Sequence, residues 1–254
     1  MNSIPGRQKY LDMRISGWGI ALPERIVTND ELSQTLDTSN DWILERSGIA
    51  QRRIGGSTSS LAVEAGELAL ASAGVEPESI DLLILATTTP DDQVPATSSK
   101  VQHELGLSCG AMDINAACSG FVYSLITGCG FLQAGCNRIL VIGSETLSGI
   151  TDWEDRSTAI LFGDGAGAIV LESSSGGGKL LGWNLSSSGE LRDILHAPIG
   201  GNIYMEGREV FRKAVTAMTE SGKKAIANAG VSPDEISLVV PHQANIRIIE
   251  TSMK

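Results

Sequence analysis

A fourteen-residue phrase occurs twice in this chain. Ala71-Ser72-Ala73-Gly74-Val75-Glu76-Pro77-Glu78-Ser79-Ile80-Asp81-Leu82-Leu83-Ile84 is echoed by Ala227-Asn228-Ala229-Gly230-Val231-Ser232-Pro233-Asp234-Glu235-Ile236-Ser237-Leu238-Val239-Val240. Each copy reads as a helix end, a glycine cap, a proline turn and then a buried strand. Matched spacing over that length points to a duplicated α/β unit and restricts the chain to layered folds built from two similar halves. The first copy's strand, residues 82–87, leads on to Asp113-Ile114-Asn115-Ala116-Ala117-Cys118-Ser119-Gly120-Phe121. The second is followed by Pro241-His242-Gln243-Ala244-Asn245 and nine further residues, so the second half is expected to be incomplete.

Around the repeat the elements alternate. Residues 14–23 read as a strand stopped by Pro23, and Thr28 and Ser39 can cap helix starts. Residues 60–73 form a helix ended by Gly74, residues 121–134 an apolar small-residue helix, and residues 138–145 a buried strand. Gly163-Asp164-Gly165, between the apolar runs 158–162 and 166–171, predicts a hairpin turn. Its glycines lack the G-x-G-x-x-G spacing of a dinucleotide loop. Residues 173–178 are a flexible Ser/Gly connection, and residues 208–228 a long helix with Phe211, Val215 and Met218 on one stripe. The expected organisation is a disordered or extended tail over 1–12, a first half over 13–172 carrying the nucleophile, and the start of a second half over 173–254.

Composition narrows function. A formal net charge of -11 argues against a nucleic-acid-binding protein, although a local basic patch can coexist with it. The four cysteines form no CxxC pair and the three histidines are not spaced like zinc ligands, so no metal is expected. No secretory signal and no apolar run of roughly 18 residues is present, which together with free cysteines predicts a cytoplasmic protein and no membrane partner.

Cys118 sits where a strand-turn region hands over to a helix N-terminus. Free N–H groups and the helix dipole there are expected to lower its thiol pKa and make it a nucleophile. His242 follows the second copy's strand, at the end where α/β sheets place working groups. In a duplicated architecture the equivalent strand ends face a shared centre. That would bring His242 near Cys118 as a nucleophile-and-base pair.

Three motifs together give the chain a family likeness. Asn115-Ala116-Ala117-Cys118-Ser119-Gly120-Phe121, Phe162-Gly163-Asp164-Gly165-Ala166-Gly167-Ala168 and Pro241-His242-Gln243-Ala244-Asn245-Ile246-Arg247-Ile248 resemble those of 3-oxoacyl-acyl-carrier-protein synthase III. The likeness runs from about Met13 to the last residue. It implies a thiolase-like α/β fold, two similar halves in a five-layered sandwich, usually as a homodimer. It also implies a reaction: Cys118 takes an acyl group from acyl-CoA, and malonyl-acyl-carrier protein then loses carbon dioxide and condenses with it. His242 would donate to the developing enolate, and no cofactor would be needed. By the same resemblance Asn245 is the active-site asparagine beside the histidine, and Trp42, Arg46 and Arg156 contact CoA. Val94, Phe162, Met205 and Gly207 lie along the acyl and pantetheine tunnel, and Arg212 and Arg247 face the carrier protein.

Complete members continue past this C-terminus, with a second catalytic asparagine in a His-Gly-Asn-Thr-Ser-like stretch. Acylation of Cys118 is therefore expected to be less affected than decarboxylation. Two other readings stand beside fatty-acid initiation. One is a related condensing enzyme of polyketide or other specialised metabolism. The other is a truncated, catalytically impaired or non-catalytic fragment.

Overall fold

The computed structural model describes residues 11–174 and 177–253. Its strands are β1 (Leu11–Ala21), β2 (Arg25–Thr28), β3 (Gln51–Ile54), β4 (Leu82–Ala86), β5 (Gly110–Ile114), β6 (Arg138–Thr146), β7 (Asp164–Ser173), β8 (Lys179–Leu180), β9 (Leu195–His196) and β10 (Tyr204–Met205). Its helices are α1 (Asn29–Leu32), α2 (Asn40–Ser47), α3 (Thr58–Ala73), α4 (Thr97–Glu104), α5 (Gly120–Gln133), α6 (Arg156–Ala159), α7 (Gly207–Ala229) and α8 (Ile246–Ser252). Six strands form one mixed sheet in the order β5-β4-β6-β7-β1-β8. Strands β5, β4 and β6, on one side of the sheet, run parallel, and β7 is antiparallel to both β6 and β1.

The apolar runs of β4 and β6 are buried because helices cover both of their faces. Leu83, Leu85, Leu140 and Ile142 point into a core closed by α3 and α4. Ile84, Ile139 and Val141 point the other way and pack with Cys129 and Leu132 of α5. Small residues set how closely these layers approach. A Cβ at Gly17 would lie 2.4 Å from the carbonyl oxygen of Ala69, and one at Gly19 2.2 Å from that of Ala65. The same device recurs beside α7, where a Cβ at Gly182 would lie 2.4 Å from the Ala229 nitrogen and 2.6 Å from the Ala225 oxygen. Ala225 and Ala229 stand in the same places relative to the second phrase as Ala69 and Ala73 do to the first. Tertiary packing thus repeats what the sequence repeats.

Three expectations change. The run 158–162 is not a strand, and Gly163-Asp164-Gly165 is not a hairpin turn. Asp155 caps the short helix α6 by accepting from the Ser157 N–H at 2.8 Å, and β7 starts at Asp164. The flanking glycines serve close packing instead: a Cβ at Gly163 would lie 2.9 Å from the Arg53 carbonyl oxygen. Second, Leu238, Val239 and Val240 form no strand and are exposed, whereas their counterparts in β4 lie between two partner strands, Leu83 and Ile84 fully buried and Leu82 half-buried. No neighbouring strand pairs with them among the described residues, and an apolar run becomes a strand only when its backbone groups find a ladder. Third, β1 begins at Leu11, with Leu11 and Asp12 paired to Leu180 and Lys179. The rest of the expected tail, residues 1–10, lies outside the described residues, as do Ser175 and Gly176 of the Ser/Gly connection. Thr28 and Ser39 cap α1 and α2 as their side chains predict.

Candidate active site

Because β4, β5 and β6 are parallel, their carboxyl ends at Ala86, Ile114 and Thr146 share one edge of the sheet, where open α/β sheets bind ligands. Beyond Ile114 the chain turns sharply. The Asn115 side chain accepts from the Ala117 N–H at 3.3 Å, and Ala117 adopts φ 47°. It is the one non-glycine residue in that left-handed region among the described residues, a conformation that costs about 1–2 kcal/mol for an L-residue. Cys118 follows in a single 3-10 turn, Ala117–Ser119, that runs into α5. A Cβ at Gly120 would lie 3.2 Å from the Ala86 Cβ, so α5 starts hard against β4.

Cys118 is exposed at this turn. The expectation of a depressed thiol pKa is nevertheless overturned. The protein packed around the sulfur removes solvent that would stabilise a thiolate and raises the pKa. A backbone N–H offsets part of this, and the negative charge of Glu145 raises it further. Glu145, the next-to-last residue of β6, escaped the sequence reading. Its carboxylate accepts from the Thr88 N–H at 2.8 Å, the Thr88 hydroxyl at 2.8 Å and the Thr89 hydroxyl at 2.7 Å. It is thereby clamped across the end of β4, beside the turn that carries Cys118. Burial raises its own pKa against those hydrogen bonds. The available signal was a carboxylate shortly after the apolar run 139–142 of β6, opposite a run of three threonines, Thr87 to Thr89.

His242 lies in extended chain between the second phrase and α8, not at a strand end. It is exposed, and desolvation by its surroundings holds the imidazole below its ordinary pKa. No hydrogen bond joins it to Cys118 among the described residues. Asn245 caps α8, its side-chain oxygen accepting from the Arg247 N–H at 2.9 Å. The start of α8 abuts the end of α2: Gly48, at φ 76°, leaves only 2.9 Å between a Cβ there and Ile246.

Trp42, Arg46 and Arg156 do come together. The guanidinium carbons of Arg46 and Arg156 lie 4.5 Å and 4.7 Å from the centroid of the same Trp42 ring. Arg156 is also held by the Asp37 carbonyl at 2.6 Å. Met205, on β10, packs toward the helix of Arg156, and its Cε is 3.7 Å from where a Cβ on Gly207 would stand. Phe162 is half-buried in the link from α6 to β7. Val94 stands apart in the loop before α4, 85% exposed. Arg212 is paired with Glu209, and Arg247 lies over the Phe211 ring at 5.7 Å, so both arginines belong to the packed α7–α8 pair. Among the described residues no cluster of three or more His, Cys, Asp or Glu could hold a metal ion.

Fold and site define a class: a layered α/β protein with a mixed sheet and a cysteine displayed at the carboxyl ends of its parallel strands. Residues 112–189 match the family model for 3-oxoacyl-[acyl-carrier-protein (ACP)] synthase III. The β-ketoacyl-[acyl-carrier-protein] synthase III of Erythrobacter litoralis is 49% identical over 255 residues, covering 94% of this chain and 79% of that one. The crystal structure of the Aquifex aeolicus 3-oxoacyl-[acyl-carrier-protein] synthase III is similar at a TM-score of 0.92 and 45% identity, with 94% of this chain and 79% of that one covered. The priming β-ketosynthase of the R1128 polyketide biosynthetic pathway is similar at a TM-score of 0.88 and 32% identity, covering 98% and 80%. The chain belongs to the 3-oxoacyl-[acyl-carrier-protein] synthase III family.

Proposed function

We propose that this chain catalyses the decarboxylative condensation of an acyl-CoA primer with malonyl-acyl-carrier protein, the step that starts type II fatty-acid synthesis. Cys118 is the nucleophile. Its sulfur attacks the acyl-CoA carbonyl, the bond to the CoA sulfur breaks, and the proton lost by Cys118 leaves with the CoA thiol. Since the thiol pKa is raised and the imidazole pKa lowered, the resting site holds both groups neutral, and the imidazole of His242 is free to accept that proton. Malonyl-carrier protein then binds, its carboxylate departs as carbon dioxide, and the enolate carbon attacks the acyl-cysteine carbonyl. Cys118 leaves as thiolate and is reprotonated. A neutral His242 keeps an N–H to donate to the enolate oxygen as charge develops there, with Asn245 beside it. Trp42, Arg46 and Arg156 hold the adenine end of CoA by stacking and charge. Phe162, Met205, Gly207 and Val94 line the acyl and pantetheine path, and Arg212 and Arg247 meet the carrier protein. Thiol and imidazole suffice for this chemistry, so the reading needs no metal or redox cofactor. It places a homodimer in the cytoplasm; among the described residues no helix is long and apolar enough to cross a membrane.

The observation that carries the reading is the strained turn at Ala117, which displays Cys118 at the sheet edge within a fold shared with the Aquifex synthase. Intact-mass analysis after incubation with acetyl-CoA should show one acyl group on the wild type and none at that position in Cys118→Ala. Adding malonyl-carrier protein should then yield a 3-oxoacyl product; equal labelling of the mutant would sink the assignment of Cys118. A polyketide-priming role is the second reading, supported by the likeness to the R1128 enzyme. The higher identity to the β-ketoacyl-[acyl-carrier-protein] synthases III favours the first.

A further inference from the structure

The Trp42 cluster draws on two short helices far apart in sequence, α2 of eight residues and α6 of four. Helices that short do not hold themselves in place. What fixes one against the other lies beneath them. Arg52 of β3 is 5% exposed and Asn29 of α1 is 1% exposed. One guanidinium nitrogen of Arg52 donates to the Asn29 side-chain oxygen at 2.8 Å, and the other to the carbonyl of Ile160, the residue that ends α6, at 2.6 Å. The Asn29 amide in turn donates to the Asn40 side chain, on the first residue of α2, at 3.1 Å, and to the Ile49 carbonyl just past that helix at 2.9 Å. A continuous hydrogen-bonded chain, buried at Arg52 and part-buried where Asn29 meets α2, thus runs from the end of α6 to both ends of α2. Ile43, Ala159, Ile160, Leu32 and Leu36 enclose the region with apolar packing.

The choice of arginine is informative. No carboxylate pairs with Arg52 among the described residues, and its Nε has no partner there. A buried guanidinium satisfied only by neutral oxygens is expensive compared with an apolar side chain of similar volume. Packing alone therefore gives no reason for it. Its planar fork can span two acceptors held at a fixed angle, which neither lysine nor an apolar residue can do.

We propose that Arg52 and Asn29 are positioning residues for the nucleotide end of the acyl-CoA substrate, setting the α2–α6 geometry that brings Arg46 and Arg156 onto Trp42. The proposal rests on the reading of those three residues as CoA contacts, and the test separates the two. Calorimetric titration with CoA would be run on the full chain and on Trp42→Ala, Arg52→Met and Asn29→Ser. Iodoacetamide labelling of Cys118 and thermal melting would be measured in parallel. Trp42→Ala and Arg52→Met should each weaken CoA binding about tenfold, the scale of one lost charge-assisted hydrogen bond, while the Cys118 alkylation rate stays within about twofold. Their effects should not add in the double variant. Should Arg52→Met fail to fold, Asn29→Ser, which cuts the same chain with less lost volume, should weaken CoA binding in the same direction. Wild-type affinity in Arg52→Met or Asn29→Ser, with Trp42→Ala impaired, overturns the positioning role and leaves the CoA reading standing. Wild-type affinity in Trp42→Ala removes the CoA reading itself. Equal losses in CoA affinity and Cys118 alkylation would mean that Arg52 supports the fold at large, and would also overturn the proposal.

Discussion

Ala117 accepts a left-handed backbone so that Cys118 can stand at the sheet edge, and Glu145 sets the electrostatic background into which that thiol is placed. The position of the cysteine was legible, because the strand, the small-residue turn and the apolar helix follow one another directly. Its acidity was not. It depends on how much protein surrounds the sulfur and on a carboxylate brought in from β6. The consequence can be measured as a pH profile. A thiol above its ordinary pKa reacts as thiolate only as pH rises, so the iodoacetamide rate at Cys118 should climb about tenfold per pH unit beyond the usual thiol value of about 8.5. Glu145→Gln removes the opposing charge and should increase the rate at pH 8 about threefold. A plateau near pH 7 in the wild type would contradict the structure.

At the scale of elements, glycine lets the layers close onto one another, and charge ties the sheet at its end. A methyl group at Gly17 has nowhere to go, because the backbone of α3 occupies its space. Gly17→Ala should therefore destabilise by about 2 kcal/mol or more, seen as a lower midpoint in urea with an unchanged slope. Glu172, buried on β7, accepts from Arg14 at 2.5 Å and from Arg138 at 2.6 Å, which holds its carboxyl below the ordinary range. A depressed carboxylate pKa stabilises the fold above the unfolded-state value of about 4.3, and that contribution fades as pH falls through the native value. Both arginines remain partly exposed, so screening limits the effect. Glu172→Gln should cost about 2 kcal/mol at pH 7, and the gap from wild type should close below about pH 4. The glycine-alanine approach beside α7 was also present in the sequence, as Gly17-Trp18 and Gly182-Trp183 ahead of matching alanines. Only their contact shows that the two instances do the same job.

For the whole molecule, one face of β1 is unlike the rest. Its inward residues Gly17, Gly19 and Ala21 meet α3, while Trp18, 64% exposed, and Ile20, 55% exposed, stand open on the other side. An apolar patch of that kind promotes self-association. Replacing both residues with serine should lower the fluorescence of a bound hydrophobic dye and the light scattering of the protein, with the melting point little changed; an unaltered dye signal would count against the patch. The sequence by itself determined the glycine cap and proline turn that both copies of the phrase share, the capping of α1 and α2, and the apolar strands of the first half. Each of these follows from chemistry among residues close together in the chain. The tertiary structure alone decided that residues 238–240 form no strand, that α6 replaces half of an expected hairpin, and that Arg46 and Arg156 share one tryptophan. It also decided that Cys118 is less acidic than its place at a helix start suggests. Each of these depends on which distant segment supplies a hydrogen-bonding partner, a charge or the exclusion of water.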